Sequence, residues 1–506
     1  MKTTGRLSLL LLLVTLFSSA TITPEKPAKI FISDYENVLG TSMEIKIIAG
    51  EEQNAGKAEN AALAEIDRLN KILSGYDPSS EFSQWKTTTN TAQPVSSELF
   101  EVLSLFEQWR SKTQGALDAS AEAIGKLWKT TARENRTPSE QEIKEVLNAI
   151  RQQHYELDAN KQTATHKTDA ALMLNSFAKS YILQKAADAA LKVPGVQGVV
   201  VNIGGDILVR GEHTEQVMIA NPKADAENDL PISQIQVANK TVATSGNYRR
   251  GVFIEGKWYS HIVDPRTGYP ASQVISATVI ADNATDAGAL ATALNVLSPK
   301  EGEELVASIP GAEYMLITAD GKRIKSDGWD EINPAATVEP ANTRSVTAAA
   351  KDWDTKYELA INLELATIEG TRIRRPFVAV WVTDADKKPV RLLALWFNKP
   401  KWLNDMRSWY ATYYGQFSSG PNNISSTSSA TRTPGKYTLK WDGKDDNGNL
   451  VKQGTYTVFI EAAREHGTYQ IMRQEIKIGK KQHIDIAGNP EVSSASLDYQ
   501  KKSNGN

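Results

Sequence analysis

Residues 333–350 set the strongest constraint on what this chain can fold into. Asn333-Pro334-Ala335-Ala336, Glu339-Pro340-Ala341-Asn342 and Ala348-Ala349-Ala350 mark an abrupt shift in composition. Proline and small residues at this density read as a linker. Before it, helical and strand patterns alternate. After it, the pattern is of strands, and six of the eleven tryptophans lie there. A chain of 506 residues exceeds one ordinary core in any case. Apolar residues at 41% and charged residues at 23% are those of a globular protein, not a disordered one.

Composition also excludes chemistry. There is no cysteine, so disulfide scaffolds, thiolate zinc sites, iron–sulfur clusters and a cysteine nucleophile are out. A net charge of −3 leaves no global basic field to hold nucleic acid or acidic lipid. At the N-terminus, Lys2 and Arg6 precede Leu9 to Phe17, apolar except for Thr15. That run is too short to span a bilayer core of roughly 30 Å as a helix. With the small residues Ser18 and Ala20 behind it, residues 1–20 read as a secretory signal cleaved after Ala20. No later stretch reaches about 18 uninterrupted apolar residues. An exported, soluble, periplasmic protein without stable membrane insertion is expected.

Within the first body, Ala62, Leu63, Ile66, Leu69 and Leu73 recur at helical spacing, with Gly75 as a stop. Leu99, Leu103, Phe106 and Trp109 form a second stripe capped by Ser96 or Ser97. Thr137-Pro138-Ser139-Glu140 reads as a capping box, followed by a face of Ile143, Val146, Leu147 and Ile150. Val199 to Val201 is a strand ending at Gly204-Gly205. Val274 to Ala281 is another, followed by a helix over Thr285 to Leu297. This pattern predicts an α+β body rather than a regular βαβ repeat. Phe377 to Val382, Leu392 to Phe397 and Tyr456 to Ile460 predict a smaller, all-β sandwich domain. The expected division is 1–20 signal, 27–330 first domain, 331–350 linker, 351–490 sandwich and 491–506 a frayed polar tail.

Chemistry concentrates in glycine- and hydroxyl-rich turns. Asn202-Ile203-Gly204-Gly205-Asp206 follows a buried strand, and paired glycines let backbone approach a ligand and offer N–H groups to phosphate. Thr244-Ser245-Gly246-Asn247-Tyr248 and Ser260-His261-Ile262-Val263-Asp264-Pro265-Arg266-Thr267-Gly268 add polar groups and one of only six histidines.

With four further segments these turns resemble the ApbE family, the FAD:protein FMN transferases. The others are Leu39-Gly40-Thr41-Ser42, Tyr76-Asp77-Pro78-Ser79-Ser80-Glu81, Gly115-Ala116-Leu117-Asp118 with Trp128, and Phe177-Ala178-Lys179-Ser180-Tyr181. Val242 to Gly246, Ser260 to Gly268 and Ala289-Leu290-Ala291-Thr292-Ala293-Leu294 match closely, and the resemblance spans about residues 35–320. It implies an ApbE-like flavin transferase domain that binds FAD with Mg2+. A hydroxyl of an acceptor flavoprotein would attack the phosphorus next to riboflavin, and AMP would leave. The same binding would serve an FAD pyrophosphatase giving FMN and AMP, or a non-catalytic flavin-binding scaffold.

The resemblance also implies roles. Tyr76, Ala116, Leu117, Asp118, Lys179, Gly204, Gly205, Ser245 and Ile262 would contact FAD. Thr292 would hold magnesium with Ala291 and the Ser176 carbonyl, and His261 would orient its loop or act as a base. The family pattern has acidic residues at the positions of Gly288, Met173 and Gln184, and glycine at Ser180. Asp286 would replace the acid at 288 only with a shifted helix start, because two residues turn a helix by about 200°. Restoring Gly288→Asp is expected to strengthen magnesium dependence.

Trp441-Asp442-Gly443 through Gly454-Thr455-Tyr456 resembles a hairpin of immunoglobulin-like periplasmic modules. Its acidic stretch Asp445-Asp446-Asn447-Gly448 has the wrong register for a calcium hand and reads as a turn. Ser428-Ser429-Ala430-Thr431 resembles the Ser-Gly-Ala-Thr acceptor motif of flavoprotein targets, which makes Thr431 a candidate self-acceptor of FMN.

Overall fold

The protein is described by a computed structural model. It covers residues 27–332 and 351–502, apart from 224, 225, 227, 229, 230, 249, 369–374, 398, 399, 419–427, 430, 465 and 466. The expected signal segment and most of the expected linker therefore lie outside the described residues.

The first body is built on one eight-stranded sheet. Its strands are β1 (Lys29–Val38), β2 (Thr41–Ala49), β3 (Val196–Ile203), β4 (Asp206–Gly211), β5 (Thr241–Gly246), β6 (Val274–Ala281), β7 (Glu313–Thr318) and β8 (Arg323–Lys325). They lie in chain order and every neighbouring pair is antiparallel. Four helices frame the site: α1 (Glu52–Leu73), α2 (Ser97–Lys112), α3 (Ala178–Leu191) and α4 (Ala284–Val296).

The β-branched run of β3 is explained by burial on both faces. Val199, Val201 and Ile203 join the core under the helices, with Ala62, Ile66 and Leu290. Val200 points the other way, onto Val209, Val217, Ile235 and Trp329. Two-sided cover comes from the hairpin Glu215–Ile219 and Ser233–Val237.

The expected capping box is displaced. Ser139, not Thr137, caps the helix Glu140–Ile150, and Glu142 closes the box. The Ser139 hydroxyl accepts from the Glu142 N–H at 3.3 Å while the Glu142 carboxylate accepts from the Ser139 N–H at 2.7 Å. Proline at 138 precedes the cap instead of entering the helix. Ile143 and Ile150 are buried on that helix, while Val146 and Leu147 are only partly so.

The second body is a sandwich. One sheet has the order β12-β9-β16-β15, with β9 (Tyr357–Leu365), β12 (Gly435–Trp441), β15 (Gln482–Ile486) and β16 (Val492–Lys501). The other runs β11-β10-β13-β14, with Ser428–Ser429 at its β11 edge. Its strands are β10 (Phe377–Thr383), β11 (Pro389–Trp396), β13 (Thr455–Ala463) and β14 (Tyr469–Lys477). Alternate residues of facing strands fill the gap: Leu359, Ile361, Val378, Val380, Trp441 and Leu497 share one core.

Two features differ from expectation. Of the expected polar tail 491–506, residues 492–501 form a strand rather than a frayed end: β16 pairs with β9 on one side and β15 on the other, burying Val492, Leu497 and Tyr499, while 503–506 lie outside the described residues. Its polar residues sit on the alternate face, which is why the segment reads as polar. A helix, α5 (Arg407–Ser418), also interrupts the strand pattern. Trp409 and Tyr413 from it cover Phe377, Ala379 and Trp381 on the outer face of β10. Buried Glu461 starts that helix by accepting the N–H groups of Ser408 and Trp409 at 2.8 and 2.7 Å.

Candidate functional site

α3 and α4 meet at their N-terminal halves, and the site begins there. Asn283 starts α4 by accepting from the N–H groups of Thr285 and Asp286 at 2.7 and 3.3 Å. Gln184, on α3, accepts from the Ala284 N–H at 3.3 Å. Thr292 then lies two turns into α4. Its hydroxyl reaches the Ser176 carbonyl at 3.3 Å and the Gly288 carbonyl at 3.1 Å. The two groups expected as magnesium ligands, the Thr292 hydroxyl and the Ser176 carbonyl, thus lie within hydrogen-bond distance of each other. No side chain caps α3 at Phe177; the Ala178 N–H is spent on the Leu174 carbonyl at 3.0 Å, and Phe177, Ala178 and Ser180 are buried, so the helix dipole there acts on a ligand through the side chain of Lys179 rather than through free N–H groups.

Lys179, in the first turn of α3, reaches the turn between β3 and β4. Its ammonium is 3.9 Å from Asp206. A side-chain carbon added at Gly204 would come within 3.2 Å of that ammonium and 2.8 Å of Thr41. Gly204 also has φ +61°, a conformation that costs a residue with a side chain. The expectation for its N–H groups is corrected. Gly204 N–H is spent on the Ser42 carbonyl at 2.9 Å and Gly205 N–H on the Asn202 side chain at 3.1 Å. Gly204 admits a lysine, and the N–H donors of both glycines are already used.

Asp206 is a residue that sequence reasoning passed over, although it directly follows the two glycines. Its carboxylate accepts from the Ser180 hydroxyl at 3.1 Å. Burial pushes its pKa up, while Lys179 and Ser180 pull it down.

Other expected contacts are distributed differently. Tyr76 is 77% exposed, and its hydroxyl accepts from the Asn175 amide at 2.7 Å. Ala116 and Leu117 are buried, as is Asp118. Asp118 is consumed by the N–H and hydroxyl of Ser120, at 2.7 and 2.6 Å, and by Arg110 at 2.6 Å. Its role is to shape the loop. Ala291 is also buried, and its carbonyl accepts from Asn295 at 3.0 Å. Ser245 is tied to α4 through its carbonyl, which accepts from Asn295 at 2.8 Å.

The loop holding His261 is pinned from several sides. Trp128 donates to the Gly268 carbonyl at 2.9 Å, and Arg266 bridges Asp264 and Glu301 at 2.9 and 2.8 Å. Ile262 is buried. The His261 Nδ1 faces the Arg250 carbonyl at 3.0 Å. A carbonyl only accepts, so Nδ1 carries the proton and Nε2 is left with a lone pair. Desolvation holds the ring's pKa below the usual histidine value, and the charges of Arg250 and Lys129 add to it.

Does this donor set suit magnesium? Thr292, Ser176 and Gly288 offer three oxygens, all neutral. Asp286 is half-buried, with a pKa raised by burial and lowered by Lys112 of α2. Among the described residues no group of three His, Asp or Glu side chains could hold a metal. Magnesium sites usually include one or two carboxylates. The residues present do not fit a protein-held magnesium ion. A cleft of about 500 Å3 lined by Phe100, Glu101, Leu105 and Gln162 includes none of the residues above.

Comparison with known proteins completes the picture. The ApbE family model matches residues 39–316, and that of a predicted periplasmic protein (DUF2271) matches residues 358–494. The FAD:protein FMN transferase of Vibrio cholerae is 29% identical over 321 residues, covering 61% of this chain and 91% of that protein. The one from Klebsiella pneumoniae is 26% identical over 306 residues, covering 58% and 87%. The crystal structure of the ApbE protein from Thermotoga maritima has 28% identity and a TM-score of 0.54, covering 61% of this chain and all of that one. The apo flavinyl transferase ApbE of Pseudomonas stutzeri, at 23% identity and a TM-score of 0.52, covers 61% and 98% and shares the fold.

Proposed function

The chain belongs to the ApbE family, and on that premise we propose that it transfers FMN from FAD to a serine or threonine hydroxyl of an acceptor protein, with release of AMP. One observation carries the reading to this chain's own residues. Lys179, the start of α3 without a side-chain cap, and the Thr292–Ser176 contact converge at one helix junction. A helix N-terminus with an added ammonium is a site for a diphosphate.

In the reaction, the acceptor oxygen bonds to the phosphorus of the FMN half. The bond from that phosphorus to the bridging oxygen breaks, and AMP departs with it. The hydroxyl proton goes to Nε2 of His261, the nitrogen left free to accept. Charge accumulates on the leaving phosphate, and Lys179 offsets it. Tyr76 offers an exposed ring to the flavin or adenine. The magnesium expectation is not carried into these steps, because the oxygens at Thr292 bear no negative charge.

Export to a periplasm is part of the proposal. Residues 1–20 support it, as does the match of residues 358–494 to a predicted periplasmic family. Among the described residues no helix is long and apolar enough to cross a membrane.

The test is incubation of the protein with FAD and a peptide carrying Ser-Gly-Ala-Thr. Equal amounts of AMP and FMN-modified peptide, read by chromatography and intact mass, are expected. AMP without modified peptide identifies a pyrophosphatase. Bound FAD with no AMP in either case identifies a scaffold.

A further inference from the structure

Positions 288 and 292 are one turn apart on α4, so their side chains share a face. An acidic side chain at 288 would lie next to the Thr292 hydroxyl and the Ser176 carbonyl. The chain has glycine there, and the structure gives the reason. A side-chain carbon at 288 would lie 2.3 Å from Ser180 Oγ, 3.1 Å from Ser180 Cβ and 3.5 Å from Phe177 Cβ. Rotating the hydroxyl away still leaves Ser180 Cβ at 3.1 Å, a contact tight enough that α3 or α4 must give by a few tenths of an ångström. Rotation would also break the 3.1 Å hydrogen bond from Ser180 to Asp206, leaving a largely buried carboxylate with one partner fewer.

We propose that the Ser180–Gly288 contact sets how this site balances the charge of a diphosphate. Ser180 holds the volume that an acidic ligand at 288 would need. The oxygens in contact with Thr292 are neutral, and the ammonium of Lys179, 3.9 Å from the Asp206 carboxylate, is the positive charge that stands in place of a protein-held divalent cation. Binding of FAD by this chain is then nearly indifferent to divalent metal. Restoring Gly288→Asp alone does not build a metal site, contrary to the expectation from sequence; Ser180→Gly must accompany it. The part concerning FAD rests on the proposed function, whereas the steric part does not.

Two measurements separate these parts. In the first, Mn2+ alone is titrated into flavin-free protein and free Mn2+ is read by electron paramagnetic resonance. The natural protein and Gly288→Asp are expected to show no binding in the micromolar range. The double variant Ser180→Gly/Gly288→Asp is expected to bind at least about tenfold more tightly than either. Micromolar binding by the natural protein, or equal binding by Gly288→Asp and the double variant, overturns the proposal. The result for the natural protein decides even if a variant fails to fold, which thermal unfolding would reveal.

In the second, FAD affinity of the natural protein is measured by flavin fluorescence in EDTA and in Mg2+. A change within about threefold is expected, and a loss of about tenfold or more in EDTA overturns the proposal. Absence of FAD binding under both conditions sinks the transferase reading instead, and the Mn2+ titration still decides the steric claim.

Discussion

The Thr431 hydroxyl faces Asp34 Oδ2 at 3.5 Å, although the two residues are 397 positions apart. They join the second body to the edge strand β1 of the first. Arg375 completes the contact by donating to the Thr431 carbonyl at 2.9 Å and the Tyr35 carbonyl at 3.0 Å. Elsewhere, the Asn228 side chain and the Lys440 backbone exchange two hydrogen bonds of 2.7 and 2.8 Å.

That contact is expected to respond to pH. Burial and, second to it, Glu44 raise the Asp34 pKa against the opposing pull of Arg375, Thr431 and Lys46, and the balance lies at about 6. Released into solvent, the carboxyl would ionise near 3.8. Between these values the folded protein holds a proton that the unfolded chain gives up. Stability from this group is therefore present at low pH and is lost as pH rises through about 6. Asp34→Asn should flatten that limb. Thermal unfolding between pH 4 and pH 7, natural protein against variant, measures it; parallel curves would remove Asp34 as the cause.

Thr431 is 2% exposed in this contact, so its hydroxyl is poorly placed to receive FMN. Intact mass after incubation with FAD should show no modification that depends on Thr431. An added FMN mass that disappears in Thr431→Ala would restore the self-acceptor idea.

Lys179→Ala should weaken FAD binding by about 10- to 100-fold, the value of a charge-assisted hydrogen bond to phosphate. Raising salt should narrow the difference. Titration of flavin fluorescence reads both effects, and an unchanged affinity would place the diphosphate elsewhere.

His261 should impose an ascending pH limb on AMP release. Its half-point should fall below the ordinary histidine value, since desolvation favours the neutral ring. His261→Gln should lower the maximal rate by about 100-fold or more and abolish that limb. A profile with the limb intact in the variant would assign the proton to another group.

Much of the frame was legible in the sequence because it is local. The stripe Ala62, Ile66, Leu69 and Leu73 states that one face of α1 is buried, and Ser96 caps α2 as its hydroxyl position suggests. That Thr292 and Ser176 belong to one neighbourhood could be drawn from a resemblance in motif order. Polarity misled where a strand has one wet face, as in β16, and where an aromatic helix, α5, covers a sheet. In both cases the deciding neighbour comes from a distant segment.

Sequence alone therefore determined that a mixed α and β body precedes a strand-rich one, many of the local elements, and the residue types at the motifs shared with the ApbE family. Tertiary structure decided what those residues do. Only the packing of α3 on α4 shows that Ser180 fills the space beside Gly288, and only the approach of α3 to the β3–β4 turn sets Lys179 between Gly204 and Asp206. The reason is physical. Periodicity reports which face of one element is apolar, but shared volume and charge balance belong to pairs of residues that the chain brings together only on folding.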